Sequence, residues 1–368
     1  MKLLLVISCD PWTRSVSTVR HYVAAGRALG HDVAVFGPPN PELPELAFTN
    51  DVAGVDLAVF IVQVPSDFPD MPHLARLLDT IPREKRVVVD LWGRYNETIY
   101  VDHDFNHLEK LDGHVGWEWD DGFRAVSDTI LQPTMTPRRA DAGSFLFHGF
   151  APDAVVVPET SAEAAAARWL KEDRWFGVAY VGSNWQRWEQ VRDFLVAHAP
   201  LRQTVGWAGL IGWDWKERPE WAIQQGLVGV DTDPTWLFGN DVTVKDGVRF
   251  DRLLGYLSQS KFAPVFHRPL FRELGLVTGR TFETFHADTI PVLMLPKPLV
   301  EAVYGPAALA LVPGDDVAAF LTDALARPAF YWDAVIKTRA HLAKHHSYAR
   351  RFEELAALAA RNASGSSR

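Results

Sequence analysis

The chain has almost no cysteine. Of its 368 residues only Cys9 carries a thiol, so an internal disulfide is excluded and a reducing compartment fits. A basic excess is missing too. With 37 basic against 46 acidic side chains the net charge is −9, which lacks the positive footprint of a polyanion-binding surface. Nucleic acid and anionic membrane are therefore not expected as partners. No apolar run is long enough to span a bilayer, and the opening MKLLLVIS is too short for a signal peptide, so it reads as a first buried strand. The expectation is a soluble, cytoplasmic chain. Also absent is G-x-G-x-x-G after that strand. The chain runs instead into Ser8-Cys9-Asp10-Pro11-Trp12, which argues against a nicotinamide dinucleotide.

What is present is an ordinary globular composition, 48% apolar and 23% charged, in a chain long enough for two domains. Tryptophan stands out with 14 copies, several in close pairs: Trp117 with Trp119, Trp185 with Trp188, and Trp213 with Trp215. Indoles stack well on sugar rings and bases, and they also fill cores and domain interfaces. Most of these are assigned to the second use.

Short, fully apolar runs at 3–8, 33–36, 55–62 and 86–90 read as strands, with helices at 18–29 and 73–78 between them. Such strands, apolar on both faces, require a parallel sheet covered on both sides. A further strand is placed at 144–148. An alanine-rich helix at 161–170 leads to a second alternating block. Its strands are placed at 177–181, 204–207, 262–266, 290–295 and 308–312, and its helices at 184–197, 251–257, near Arg280, 316–326, 328–345 and 347–360. The pattern predicts an α/β fold of two Rossmann-like, doubly wound domains facing across a cleft. The first domain covers 1–155 and takes back the helix at 346–361. The second covers 172–345, and 362–368 forms a flexible tail.

The densest chemistry lies in RPLFRELGLVTGRTFETFHADTIPVLMLP, from Arg268 to Pro296. Arg268, Arg280, Thr281 and Glu283 gather at a loop entering a helix. A helix start offers free N–H groups and partial positive charge to a diphosphate, and a carboxylate in the first turn accepts from a vicinal diol. An ordinary helix capped by Thr281, with Glu283 as a first-turn acid, explains the same residues. Arg187, after the 177–181 strand, and the amides at Gly182-Ser183 complete a candidate diphosphate site.

The ordered motifs resemble the glycosyltransferases of GT-B architecture, and within them a branch described as spore-maturation-protein-like. Carrying the resemblance are Gly30-His31-Asp32-Val33, His148-Gly149-Phe150-Ala151-Pro152-Asp153, Tyr180-Val181-Gly182-Ser183 with Trp185-Gln186-Arg187-Trp188, and Arg280-Thr281-Phe282-Glu283 with Ala287 and Ile290-Pro291-Val292. The closing His346-Ser347-Tyr348-Ala349-Arg350-Arg351 is similar to the family's last helix, which crosses back onto the first domain. The resemblance implies a nucleotide-sugar donor held by the second domain, with Glu283 on the ribose hydroxyls. It implies a catalytic base from the first domain, for which Asp10, His21 and His148 are the candidates. Retaining members carry two glutamates separated by seven residues. Here Glu273 and Glu283 are ten apart, so the stereochemistry stays open.

No metal is expected. The triplets Asp102-His103-Asp104 and Asp231-Thr232-Asp233 are of a kind that binds divalent ions in another glycosyltransferase fold, and with 46 acidic residues such triplets also arise by chance. His103, His107 and His114 have spacings that do not fit a structural zinc site, and their segment is placed on the acceptor side of the cleft with Trp117 and Trp119. The donor base is left as UDP, TDP or GDP, and the acceptor as a small molecule or glycan with a free hydroxyl. Three alternatives stand beside transfer: a nucleotide-sugar epimerase, a hydrolase, and a non-catalytic nucleotide-sugar-binding protein.

Overall fold

A computed structural model describes residues 1–9, 11–12, 15–62, 74–96, 99–101, 108–110, 116–217, 220 and 232–365. The first lobe is built on strands β1 (Lys2–Val6), β2 (Asp32–Phe36), β3 (Phe48–Thr49), β4 (Leu57–Val62), β5 (Arg86–Asp90), β8 (Ile130–Gln132) and β9 (Ala142–Ser144). A small antiparallel pair, β6 (Ile99–Val101) and β7 (Leu108–Lys110), lies outside that sheet. The main sheet is parallel with order β3-β2-β1-β4-β5-β8-β9. Its central strands are buried on both faces because alternate side chains enter different cores. Leu3, Leu5, Val59 and Ile61 meet the helix Ser15–Ala28 side, while Leu4, Val6, Ala58 and Phe60 fill the opposite core with Leu77 and Phe123.

The second lobe holds β10 (Phe176–Val181), β11 (Ala208–Ile211), β12 (Thr243–Lys245), β13 (Ser260–Phe266) and β14 (Ile290–Met294), parallel in the order β12-β11-β10-β13-β14. Both lobes are doubly wound, as the sequence predicts.

The chain returns to its first lobe at the end. The Phe150 N–H donates to the His346 carbonyl at 2.8 Å, and the Tyr348 N–H to the Phe150 carbonyl at 3.3 Å. From there the helix Tyr348–Gly365 lays Tyr348, Phe352 and Leu355 into the first core. It runs through Gly365, past the expected start of the tail at 362.

Some elements differ from expectation. Residues 204–207 are not a strand: a helical turn, Arg202–Val205, is broken by Gly206 at φ 116°, and β11 begins just after. The run at 308–312 belongs to a 3₁₀ helix, Pro306–Leu311, whose alanines supply apolar burial without β-branching. The first sheet's last strand ends at Ser144, not at His148. The helix expected from Asn184 starts at Trp188, because Gln186 takes φ 56° in the preceding loop. Among the described residues no helix is long and apolar enough to cross a membrane.

Candidate active site between the lobes

In the second sheet β10 is followed on one side by β11 and β12 and on the other by β13 and β14. The crevice at the carboxyl ends of β10 and β13 is thus the topological switch point, where open α/β sheets bind ligands. A cavity of about 130 Å³ opens at this edge. Gly182 and Ser183 line it after β10, Gly212 and Trp213 after β11, and Gly247 and Val248 after β12, with Arg280 on its wall and Trp12 reaching over from the first lobe.

Two glycines make this geometry possible. A Cβ on Gly212 would sit 2.2 Å from the Gly182 carbonyl oxygen, and one on Gly247 would sit 2.2 Å from the Trp213 ring. The loops are pinned to each other. The Gly182 N–H donates to the Ile211 carbonyl at 2.8 Å, the Asn184 N–H to the Trp213 carbonyl at 3.0 Å, and the buried Trp215 indole N–H to the Gly182 carbonyl at 2.7 Å. The outward-turned Trp213 ring faces Trp12 at a centroid distance of 6.1 Å.

Arg280 occupies the first turn of the helix Gly279–His286, every residue of which is buried. Its Nη1 lies 3.2 Å from Oε2 of Glu283, one turn on, and both side chains are only 9% exposed. The predicted arginine and glutamate therefore form one buried pair beside the cavity. Thr281 is placed differently. The helix starts at Gly279 with Thr278 as its cap, and the Thr281 hydroxyl donates back to the Thr278 carbonyl at 2.6 Å. Neither capping nor ligand contact by that hydroxyl fits this arrangement.

The other two predicted arginines lie outside the cavity wall. Arg187 stands at the entrance to the helix Trp188–His198 and donates to the Trp185 carbonyl at 3.1 Å and the Ser183 carbonyl at 3.4 Å, so it braces the loop after β10. The guanidinium of Arg268 lies against both Trp92 at 3.9 Å and Phe271 at 3.8 Å, two rings that meet edge-on. Trp92 belongs to the first lobe, and this cation–π contact joins the lobes. Trp92 also meets Trp185 edge-on at 5.5 Å.

His148 lies next to the helix Gly279–His286. A Cβ on Gly279 would lie 3.1 Å from its Nδ1, and that nitrogen is 2.9 Å from the Thr18 hydroxyl. His21 stacks on Tyr348 at 4.8 Å and lies 6.2 Å from the His286 ring. Burial lowers its pKa, and Asp153 partly offsets this. Asp10 lies outside the described residues, as do Asp102, His103, Asp104, His107, His114 and Asp231. Of the second acidic triplet, Asp233 caps the helix Pro234–Gly239 by accepting from the Trp236 N–H at 2.8 Å, and Thr232 donates to the Trp215 carbonyl. This part of the triplet is a capped turn. Glu273 is half-exposed and pairs with Arg138 of the first lobe. Among the described residues no group of three His, Cys, Asp or Glu side chains could hold a metal ion.

Two residues escaped the sequence reading. His267 is 1% exposed, and neither ring nitrogen has a hydrogen-bond partner. Burial, with Arg187 and Arg268 nearby, pulls its pKa down to about 3, so the ring is neutral. Phe176 pairs with Ser260 and Val178 with Phe262, and His267 directly follows β13, the strand beside β10. The available signal was its position, as the first polar residue after a buried strand. Asp90, fully buried at the end of β5, accepts from the Trp92 and Tyr95 N–H groups and from Gln132, and so fixes the loop that carries Trp92. Burial raises its pKa against those hydrogen bonds.

The chain is similar in architecture to solved structures that are remote in sequence. An alpha-glucosyltransferase in complex with UDP and a 13-mer DNA containing an A:G mismatch aligns at TM-score 0.56 and 12% identity, over 97% of this chain and 99% of that one. T4 phage BGT with its UDP-glucose substrate aligns at TM-score 0.52 and 11% identity, over 96% of this chain and 99% of that one. T4 phage BGT with UDP and Mn²⁺ gives the same values. The fold is GT-B. No protein family and no curated protein matches the sequence, so the narrower spore-maturation-protein-like branch rests on its motifs alone. The likeness covers 96–97% of the chain and so spans both lobes.

Proposed function

We propose that this chain is a glycosyltransferase that moves a sugar from a nucleoside-diphosphate donor to a hydroxyl-bearing acceptor. The observation that carries the reading is the cavity at the second lobe's switch point, where the Gly182-Ser183 loop and the Arg280–Glu283 pair meet in a GT-B fold. UDP is the favoured nucleotide, because the similar structures hold UDP or UDP-glucose.

In the reaction the bond from the anomeric carbon to the diphosphate oxygen breaks, and its electron pair leaves with the diphosphate. The acceptor oxygen bonds to that carbon and gives its proton to a base. Arg280 and the N–H groups at the start of its helix stabilise the charge growing on the leaving group. The Glu283 carboxylate accepts from the ribose hydroxyls. His148 is the foremost base candidate by its place beside Gly279, with His21 and Asp10 as the others.

Guanidinium and amide groups are proposed to serve the diphosphate without a required metal, and the Mn²⁺ of the phage complex makes a chelator control necessary. The net charge of −9 favours a small or glycan acceptor. The DNA in the alpha-glucosyltransferase complex makes duplex DNA the comparison acceptor.

Thermal unfolding in EDTA with UDP, TDP, GDP or NAD tests the donor. UDP at a hundredfold excess over its Kd should stabilise the fold by about 2.7 kcal/mol, and NAD should have no effect. Stabilisation by NAD alone would remove the assignment. Donor turnover without any acceptor would replace transfer with hydrolysis or epimerisation, and UDP binding without turnover of any UDP-sugar would leave a binding protein.

A further inference from the structure

A second cavity, of about 410 Å³, lies where the chain crosses back between the lobes, and it shares no lining residue with the donor pocket. Its size falls within the range of small-ligand sites. One wall is apolar and comes from the end of the first sheet: Met135, Phe145 and Leu146. The facing wall is polar and comes from the end of the helix Pro328–His345 and the start of the helix Tyr348–Gly365, with His341, His345, Arg351 and Glu354.

The charge of the polar wall is balanced. Arg351 donates to Glu354 at 2.8 Å and to the His345 carbonyl at 2.9 Å. Its other contact, at 3.0 Å, is to Nδ1 of His346, so the proton of that neutral ring sits on Nε2. The His341 and His345 rings lie 4.6 Å apart. Burial lowers the pKa of His341 and His346, which leaves both imidazoles uncharged near neutrality. The wall thus mixes donors and acceptors at near-zero net charge. A phosphate would meet no unbalanced cation on this wall and would face the Glu354 carboxylate. A sugar ring offers what both walls need: an apolar C–H face for Met135 and Phe145, and hydroxyls that donate as well as accept.

We infer that this cavity at the lobe junction is a carbohydrate-binding site, separate from the donor pocket, for one or two neutral sugar units. It takes residues from both lobes, so an occupant also bridges them.

Saturation-transfer NMR on the full chain, with UDP saturating the donor pocket, tests the inference with glucose and maltose as probes. Transfer to maltose protons is expected at millimolar concentration. Ala302→Trp fills the cavity from an exposed helix position without removing a buried polar group, and Glu354→Gln removes an acceptor charge. Each should weaken maltose at least tenfold while the UDP-induced rise in Tm is kept. The inference falls if neither sugar receives transfer, or if both variants bind maltose like the parent. It also falls if inorganic phosphate displaces the sugar at lower concentration than the sugar itself binds. Loss of the UDP response would strike the donor assignment and leave this site standing.

Discussion

Arg280 and Glu283 share one turn at 3.2 Å, each buried, so removing either alone strands a charge out of water. Arg280→Ala should therefore lower both UDP affinity and the Tm of the unliganded chain. The double variant Arg280→Met with Glu283→Met should recover most of that Tm, since well-packed apolar residues replace a buried ion pair at little cost. It should still bind UDP at least tenfold more weakly, the equivalent of about 1.5–3 kcal/mol for one lost charge-assisted hydrogen bond. Calorimetry of both variants checks this, and full UDP affinity in the double variant would reduce the pair to a structural role. This turn was legible in the sequence because its arginine, glutamate and helix start lie within a few residues. Arg268 was not. Its charge is visible in the chain, but the ring of Trp92 that covers it comes from the other lobe. His267 is not legible in the sequence, because a lone histidine after a strand carries no local signature and only the fold shows it fully buried at the end of β13.

At the far end of the same helix, His286 accepts the Ala151 N–H on Nε2 at 2.9 Å and stacks on Phe150 at 4.5 Å. Burial holds its pKa at about 3, as it does for His267 and His346. In the unfolded chain each imidazole takes up a proton near its ordinary value of 6.5. Stability is therefore complete above that value and is lost progressively as the pH falls from there towards 3. By about pH 5 all three neutral imidazoles lower stability in the same direction. Tm should fall steeply between pH 7 and pH 5, and His286→Gln should flatten part of the slope. A Tm unchanged across that interval would contradict the buried, neutral assignment. The apolar strands β4 and β5 could be read directly, because a run buried on both faces leaves one interpretation. The alanine-rich run at 306–311 could not, since burial alone does not distinguish a strand from a 3₁₀ turn.

The lobes are joined at several places around the cleft. At its mouth the Phe250 N–H donates to the Pro11 carbonyl at 3.0 Å and Arg249 meets Glu42 at 3.1 Å. On the flank the Val277 N–H donates to the Pro133 carbonyl at 2.6 Å, near the Arg138–Glu273 pair and the Trp92–Arg268–Phe271 cluster. A desolvated cation–π contact is worth about 2 kcal/mol or more, so Trp92→Ala should shift the lobes towards an open arrangement. Small-angle scattering should then show a larger radius of gyration without UDP and a return to the parent value with it. An unchanged radius in both states would mean that the remaining contacts suffice. The two-lobe plan was legible from the alternation of strands and helices, whereas these contacts join residues far apart in the chain and became visible only in three dimensions. The return of the helix Tyr348–Gly365 also bears on how the molecule is made. Tyr348, Phe352 and Leu355 complete the first core, so during synthesis the N-terminal lobe emerges from the ribosome with one apolar face bare. It stays so until the second lobe has been translated, and over that interval its nascent surface is the natural binding site for a chaperone.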